Sequence, residues 1–143
     1  MGRILAVDPG SKRVGLAVSD PTQTIASALS TEPAEPEADL AARLAVIASG
    51  QEAERIVVGL PREMNGRRGP AAAAAERLAA RLRAVAGVPV ETFDERLTTA
   101  AAERSLISTG AKRAVRRQAV DRVAATLLLQ GYLDRARAKR RAG

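Results

Sequence analysis

Residues Ile4–Asp20 constrain the fold more than any other stretch of this 143-residue chain. The apolar run Ile4–Val7 has the length of a β-strand and ends on an acid, Asp8. Residues 9–12 then supply turn chemistry, since proline fixes φ and glycine tolerates unusual backbone angles. A second apolar run, Val14–Val18, completes the pattern of a β-hairpin with Asp8 at the tip of its first strand. Asp8 is therefore a metal ligand, a phosphate-site acid or an ordinary turn-capping residue.

The composition limits both the core and the chemistry. Hydrophobic residues make up 46% of the chain but aromatic residues only 1%, which predicts a core of Ala, Leu, Val and Ile in helices packed on a sheet. Because the chain has no Cys and no His, disulfides, Cys/His zinc sites and Cys- or His-based nucleophiles are excluded. An enzyme of this composition must work with carboxylates, Lys or Arg, hydroxyls or a bound metal.

The net charge of +7 favours a nucleic-acid partner that is contacted through its phosphates, although charge of this size also serves solubility. Nothing in the sequence resembles a signal peptide or a membrane span. We therefore expect a cytoplasmic protein that does not associate with membranes.

The periodicity predicts alternating strands and helices after the hairpin, in one domain spanning 1–143. Each parallel strand is expected to alternate with a helix, which gives an α/β fold with a mixed sheet covered on both faces. The first predicted elements after the hairpin are a strand at Thr24–Ser30, a helix that begins at about Pro36 and runs through Asp39 to about Ser49 with Gly50 as its cap, and a strand at Arg55–Gly59. They are followed by a helix over 71–86 presenting Leu78, Leu82 and Val85, and by a strand at Val88–Phe93. The last elements are a helix from Thr98 or Thr99 to Ile107 and a helix from about Val115 to Arg137, with a frayed basic tail from about 135.

Carboxylates stand at three separated places that this fold could gather. Asp8 ends the first strand, Asp94 and Glu95 end the fifth, and Asp121 lies on the apolar stripe of the last helix. Converging carboxylates without His or Cys suit Mg²⁺ or Mn²⁺, ions that activate water for phosphodiester hydrolysis. The alternatives are a buried ion pair of Asp121 with Arg13 or Arg96, and solvation or helix capping for the acids at 94 and 95.

Basic residues flank these positions and are candidates for phosphate contact. They are Arg62, Arg67, Arg68, Lys112, Arg113, Arg116 and Arg117. Because Phe93 and Tyr132 are the only aromatic residues, we do not expect the sequence of a single strand to be read by base stacking. We expect recognition of the nucleic-acid backbone or shape instead.

Four motifs in chain order resemble the YqgF (RuvX) family. They are the segment Asp8–Asp20, Val58-Gly-Leu-Pro61 with Asn65-Gly66, Asp94-Glu-Arg-Leu-Thr-Thr99, and Asp121-x-x-Ala-Ala125. The resemblance covers essentially residues 3–133. It implies a ribonuclease H-like fold with a five-stranded sheet in the order 3-2-1-4-5, and a bacterial cytoplasmic, metal-dependent nuclease. It further implies a role in maturing the 5′ end of pre-16S ribosomal RNA, or alternatively in resolving Holliday junctions.

Carried over by position, the resemblance makes Asp8 and Asp121 metal-binding and catalytic acids. Related resolvases have an acid at the end of strand four, where this chain has Gly59-Leu60-Pro61. The missing carboxylate would come from strand five, and we choose Glu95 over Asp94 because its arm is longer and the two point to opposite faces. The supporting residues are then Arg13, Asp94 and Arg96, and the nucleic-acid contacts are Arg62, Lys112, Arg113, Arg116 and Arg117.

Several alternatives stay open at this point. The site could hold one or two ions, and the protein could be a monomer or a homodimer, since a resolvase would need a two-fold dimer. The substrate is expected to be an rRNA precursor, within a small-subunit precursor, rather than branched DNA. The competing hypotheses are a non-catalytic RNA-binding assembly factor and, less favoured, a phosphotransferase of the actin and sugar-kinase type, which would need a second domain.

Overall fold

The structure, a computed structural model, describes residues 2–61, 69–95 and 113–142, with the side chains of all of these except 113–122 and 142. The elements in chain order are β1 (Arg3–Pro9), β2 (Arg13–Ser19), β3 (Ala26–Pro33), α1 (Glu37–Gly50), β4 (Ala53–Leu60), α2 (Pro70–Val85), β5 (Val90–Asp94) and α3 (Arg113–Ala142). The predicted helix from Thr98 or Thr99 to Ile107 lies outside the described residues.

The five strands form one mixed sheet in the order β3-β2-β1-β4-β5. β1, β2 and β3 pair antiparallel as a meander, whereas β4 lies parallel to both β1 and β5. The predicted architecture and strand order are therefore confirmed. Because β1, β4 and β5 are parallel, their carboxyl ends meet at one edge of the sheet, which is the edge where the predicted acids stand.

Helices cover both faces of the sheet. One face packs against α1 and α2 through fully buried side chains that include Leu5, Val7, Ile56, Val58, Leu44 and Leu82. The other face packs against α3, whose inward side chains are Ala125, Leu128, Leu129 and Leu133. Alanines at positions 6 and 17 of the sheet let α3 approach closely. Within the described ranges, we find no helix with the length and apolarity that crossing a bilayer requires.

Three details differ from the sequence predictions. Gly50 is the last residue of α1 rather than its cap, because Gln51 donates a further backbone hydrogen bond to Ile47 and the left-handed residue that follows is Glu52, with φ of 56°. Val85, predicted to face the core, is 53% exposed at the end of α2. The basic segment from about 135, predicted to fray, continues α3 as a helix to Ala142.

A buried hydroxyl joins β1 and β2 where their backbone pairing ends. Ser19 is 1% exposed, and its Oγ accepts a hydrogen bond of 2.9 Å from the N–H of Ile4. The same hydroxyl donates to the carbonyl oxygen of Asp20 at 2.9 Å. A hydrophobic residue at position 19 would leave the buried N–H of Ile4 without this acceptor, whereas the carbonyl oxygen of Asp20 would keep its hydrogen bond from the N–H of Gln23.

We predict that Ser19→Ala lowers the free energy of unfolding by about 1–3 kcal/mol, because the N–H of Ile4 is then buried without an acceptor. Urea denaturation monitored by circular dichroism measures this change. Ser27→Ala is the matched control, because Ser27 is exposed on β3. Equal stabilities of the two variants would show that the hydroxyl bridge does not contribute.

The turn after β2 is organised by one carboxylate. The Asp20 side chain accepts hydrogen bonds from the backbone N–H groups of Thr22, Thr24 and Ile25 and from the Thr22 hydroxyl. The hydrogen bond from Ile25, followed by those from Thr22 and Thr24, lowers the pKa of Asp20 well below its ordinary range.

A carboxyl group whose pKa is lower in the folded state stabilises the fold above its unfolded-state pKa, and this stability is lost as the pH falls. We therefore expect the wild type to lose more unfolding free energy than Asp20→Asn between about pH 6 and about pH 2. Urea titrations across this range measure the difference. Parallel pH profiles for the two proteins would contradict the assigned role of Asp20.

Candidate metal and nucleic-acid site

Asp8 lies at the carboxyl edge of the sheet, one residue before the end of β1. It is half-buried and pairs with Gly15 of β2. Ile4 and Ala6, at even positions of the same strand, belong to the cluster beneath α3. Since side chains alternate along a strand, Asp8 also lies on the α3 face of the sheet.

Backbone contacts fix the turn that follows Asp8. A Cβ atom at Gly10 would collide with the carbonyl oxygen of Arg13, so this turn requires glycine. The carbonyl oxygen of Lys12 accepts a hydrogen bond of 2.9 Å from the N–H of Ala34, which ties the turn to the end of β3. Arg13 begins β2 on the same face as Ala17 and thus shares the face of Asp8. Its predicted role in orienting the acids stays a prediction.

Glu95 follows directly after β5 and turns its side chain over the neighbouring strand. Its Oε1 lies 3.0 Å, and its Cγ 3.4 Å, from the point that a Cβ would occupy at Gly59. The Cδ2 atom of Leu128, from α3, lies 2.9 Å from the same point. The Glu95 carboxylate therefore lies on the α3 face, above the end of β4 and against α3.

Asp8 and Glu95 flank Gly59 from its two sides. The register of β1 and β4 pairs Val7 with Val58, which brings Asp8 beside Gly59. β5 lies on the other side of β4, with Phe93 opposite Gly59. Two strand spacings, roughly 10 Å, thus separate the backbones of the two acids, and both side chains lie on one face. The absence of a side chain at Gly59 leaves the space between them open to the Glu95 carboxylate.

Asp94 is placed differently from Glu95. It pairs with Leu60, and it shares its strand parity with Val90, which belongs to the core beneath α1 and α2. Strand alternation therefore assigns Asp94 to the opposite face of the sheet. By this alternation Asp94 does not share the face of Asp8 and Glu95, and the choice of Glu95 over Asp94 as a metal ligand stays a prediction.

Asp121 lies in α3, and its side chain is outside the described part of the chain. It precedes Ala125 by one helical turn and Leu128 by two. Leu128 contacts the Gly59 position, and Leu133 lies beside Ile4 at the opposite end of the strands. The helix therefore runs from the carboxyl edge of the sheet towards the amino edge, and Asp121 belongs to the end of α3 that approaches the acids.

The side chains predicted to contact phosphate are not described by the structure. Those outside the described residues are Arg62, Arg67, Arg68 and Lys112, and the same holds for Arg96, the residue predicted to orient the acids. Arg113, Arg116 and Arg117 lie in the first turns of α3, before Asp121, with side chains that are likewise not described. These three residues belong to the end of the helix that is nearest the carboxyl edge of the sheet.

Among the described side chains, no three Asp, Glu, His or Cys residues lie close enough together to share a metal ion. Asp8 and Glu95 belong to these side chains, and Asp121 does not. The described part of the predicted site is therefore a pair of carboxylates. Asp121 is the predicted third acid, and its position along α3 puts it at the end of the helix nearest this pair.

Sequence reasoning missed two features of this face. The first is that Gly59, which has no side chain, leaves the space into which Glu95 reaches. The only signal for this in the sequence is a glycine at the end of a strand. The second is that Phe93 and Tyr132 form an edge-to-face pair with ring centroids 5.6 Å apart and line a common cleft. The sequence identified both aromatic residues but could not show that they meet.

Comparison with known proteins identifies close relatives over nearly the whole chain. A protein of Moorella thermoacetica is 49% identical over 134 residues, which cover 93% of this chain and 95% of the relative. One of Chloroflexus aggregans is 46% identical over 131 residues, which cover 92% of each. Both relatives carry the name "Putative pre-16S rRNA nuclease".

The structural comparison identifies the same fold in more distant proteins. Thermus thermophilus RuvC in complex with a Holliday junction substrate matches with a TM-score of 0.60 and 16% identity, over 95% of this chain and 97% of that chain. This match supports the ribonuclease H-like fold. A family model described as RuvX, Holliday junction resolvase, matches residues 2–135. Together with the identities of the two relatives, that match shows that this chain belongs to the RuvX family.

Proposed function

We propose that this protein is a metal-dependent nuclease that hydrolyses phosphodiester bonds of a pre-16S rRNA precursor. The observation that carries the proposal is the position of Asp8 and Glu95 on either side of Gly59, on one face and at one edge of the sheet. Membership of the RuvX family and the names of the relatives support the nuclease activity.

The donor set fits a hard divalent cation. Asp8 and Glu95 supply carboxylate oxygens, Asp121 would supply a third, and the chain has no His or Cys to favour a softer metal. Both acids are half-buried on one face, and a bound divalent cation would offset the cost of holding two negative charges there. When bound there, Mg²⁺ or Mn²⁺ would supply Lewis acidity towards the phosphate and acidify a water molecule.

The protein groups around the acids restrict their movement. Leu128 is 1% exposed, and together with Gly59 it confines the Glu95 side chain on the side of α3. The glycine turn and the β2 pairing hold the backbone of Asp8. Such preorganisation reduces the reorganisation that binding a substrate phosphate would otherwise require. The arginines at the start of α3 would hold the nucleic-acid backbone at this same edge.

The description of the RuvX family model favours a second candidate function, resolution of Holliday junctions. That reaction needs two symmetric cuts and hence two copies of the site related by a two-fold axis. Purified protein should therefore be tested on both a labelled pre-16S rRNA fragment and a labelled four-way DNA junction. Symmetric junction cutting by a dimer would favour the second function, and cutting of the RNA alone would favour the first.

We expect cleavage of the RNA fragment to require Mg²⁺ or Mn²⁺ and to stop with EDTA. Asp8→Asn, Glu95→Gln and Asp121→Asn should each reduce the cleavage rate by about a hundredfold or more, because a bound metal contributes several kcal/mol to such a transition state. RNA affinity should change little. Asp94→Asn is the matched control, since Asp94 lies on the other face, and should cleave at a rate close to that of the wild type.

If an Asp121→Asn variant cleaves as fast as the wild type, Asp121 is not part of the metal site. If the wild type binds the RNA but cuts neither substrate with any metal, the protein is a binding factor and the nuclease proposal fails.

Gly59 provides a further test that leaves all acids in place. Gly59→Ala puts a methyl group 2.9 Å from Leu128 and 3.0 Å from the Glu95 carboxylate, so one of them must move. Because the buried Leu128 has little room, we expect Glu95 to be displaced and cleavage to fall by about tenfold to a hundredfold, as for other misplaced groups. Gly50→Ala is the control, since a Cβ there meets nothing within 4 Å. Equal cleavage by both variants would contradict the proposed position of Glu95.

A further inference from the structure

An open cleft lies on the α3 face, between the edge strand β5 and the second half of α3. Its volume is about 710 Å³. Its larger side chains are Arg55, Glu91, Phe93, Tyr132, Arg135 and Lys139. A smaller adjoining cleft of about 330 Å³ shares Arg55, Tyr132 and Lys139 and adds one basic and one acidic residue, Arg140 and Glu54. None of these residues, apart from the two aromatic ones, entered the site predicted from the sequence.

Phe93 places one end of the cleft near the carboxylate site. Phe93 precedes Glu95 by two residues on β5, on the same face, and pairs with Gly59. Leu128 marks the level of Gly59 on α3. Arg135 and Lys139 follow Leu128 by seven and eleven residues, which places them about 10 and 16 Å further along the helix axis. At the rise of about 3.4 Å per nucleotide of a stacked strand, this distance corresponds to roughly three to five nucleotides.

The lining combines an aromatic surface with unopposed positive charge. Phe93 and Tyr132 are half-buried, and they are the only aromatic residues in the chain. Arg135 and Lys139 are exposed. Glu91, the acid of the cleft, is paired with Arg55 and accepts a hydrogen bond of 2.9 Å from the Tyr132 hydroxyl. The pairing offsets the one negative charge of the lining, so Arg135 and Lys139 dominate its potential.

We propose that this cleft binds a single-stranded segment of the nucleic acid whose phosphodiester lies at the carboxylates, about three to five nucleotides away from the cleaved bond. Arg135 and Lys139 contact its phosphates, and a base stacks on the Phe93–Tyr132 pair. This inference rests on the proposed nuclease function, because that function places the cleaved phosphodiester at the carboxylates and so sets the path of the strand from there into the cleft. Aromatic stacking and a basic groove are the two elements with which proteins bind single strands without reading their sequence.

The test measures binding on a full-length Asp8→Asn protein, so that cleavage does not interfere. Fluorescence anisotropy would compare oligonucleotides of about 4 and about 12 nucleotides, as RNA and as DNA of the same sequence, over a range of salt concentrations. The double variant Arg135→Gln/Lys139→Gln is made in this background. The matched control is Arg77→Gln/Arg81→Gln, which removes two exposed charges from α2 on the opposite face.

We expect the Arg135→Gln/Lys139→Gln variant to bind the longer oligonucleotide more weakly, with a slope of log affinity against log salt reduced by about 1.4, because two phosphate contacts are lost. The control should keep the original slope. Phe93→Leu, checked for folding by thermal denaturation, should weaken binding of the longer oligonucleotide by roughly fivefold or more and leave the salt slope unchanged, as expected for lost stacking.

The proposal is overturned if the double variant and the α2 control bind the longer oligonucleotide with equal affinity and equal salt slope. It is also overturned if the Asp8→Asn protein binds neither RNA nor DNA. In the first case, the wild type can still cleave a short substrate in a metal-dependent reaction. That cleavage assay therefore distinguishes failure of the cleft proposal from failure of the nuclease function.

Discussion

The packing of α3 against Gly59 is the contact on which the site depends. At this point a helix side chain, Leu128, and a carboxylate, Glu95, occupy the space that any residue with a side chain at position 59 would fill. The contact fixes the height of α3 above the sheet and, through the helix, the level of Asp121. It also brings a carboxylate from β5 over β4, so that two strands and one helix can contribute acids to one edge.

The architecture is predictable from the sequence because the local signals for strands, helices and turns all indicate the same topology. Strand-length apolar runs at β1, β2 and β4, helical periodicity between the parallel strands, and the meander of the first three strands lead to one topology. The errors lie at element ends, where local contacts decide. At Gly50, one more backbone hydrogen bond, donated by Gln51, extends the helix by a residue. At Val85, the helix has passed the edge of the sheet, so an apolar residue remains exposed.

The site was predictable as a set of residue types but not as a geometry. Strand alternation assigns Asp94 and Glu95 to opposite faces, and only the reach of Glu95 is given by a contact in the structure. That reach over Gly59 joins two residues that are 36 positions apart in the chain, which no local pattern encodes. The same holds for the Phe93–Tyr132 pair, whose members lie on different elements. The scarcity of aromatic residues argues against sequence-specific reading by stacking, but it does not show that the fold brings both of them to one cleft near the acids.

The α3 face thus combines two kinds of group along one line. Carboxylates lie at the carboxyl edge of the sheet, and an aromatic and basic cleft extends from them towards the amino edge. The opposite face, beneath α1 and α2, is filled by apolar side chains. This division assigns substrate binding to one side of the molecule and most of the stabilising core to the other.

We propose that Asp8, Glu95 and Asp121 bind one metal centre beside Gly59. Anomalous diffraction from crystals soaked in Mn²⁺ would locate the ion itself. We expect a manganese peak on the α3 face at the carboxyl edge, within about 2–2.5 Å of oxygens from all three acids, and its loss in Asp8→Asn crystals. A peak bound by Asp94, or a fully occupied site elsewhere with none between Asp8 and Glu95, would contradict it.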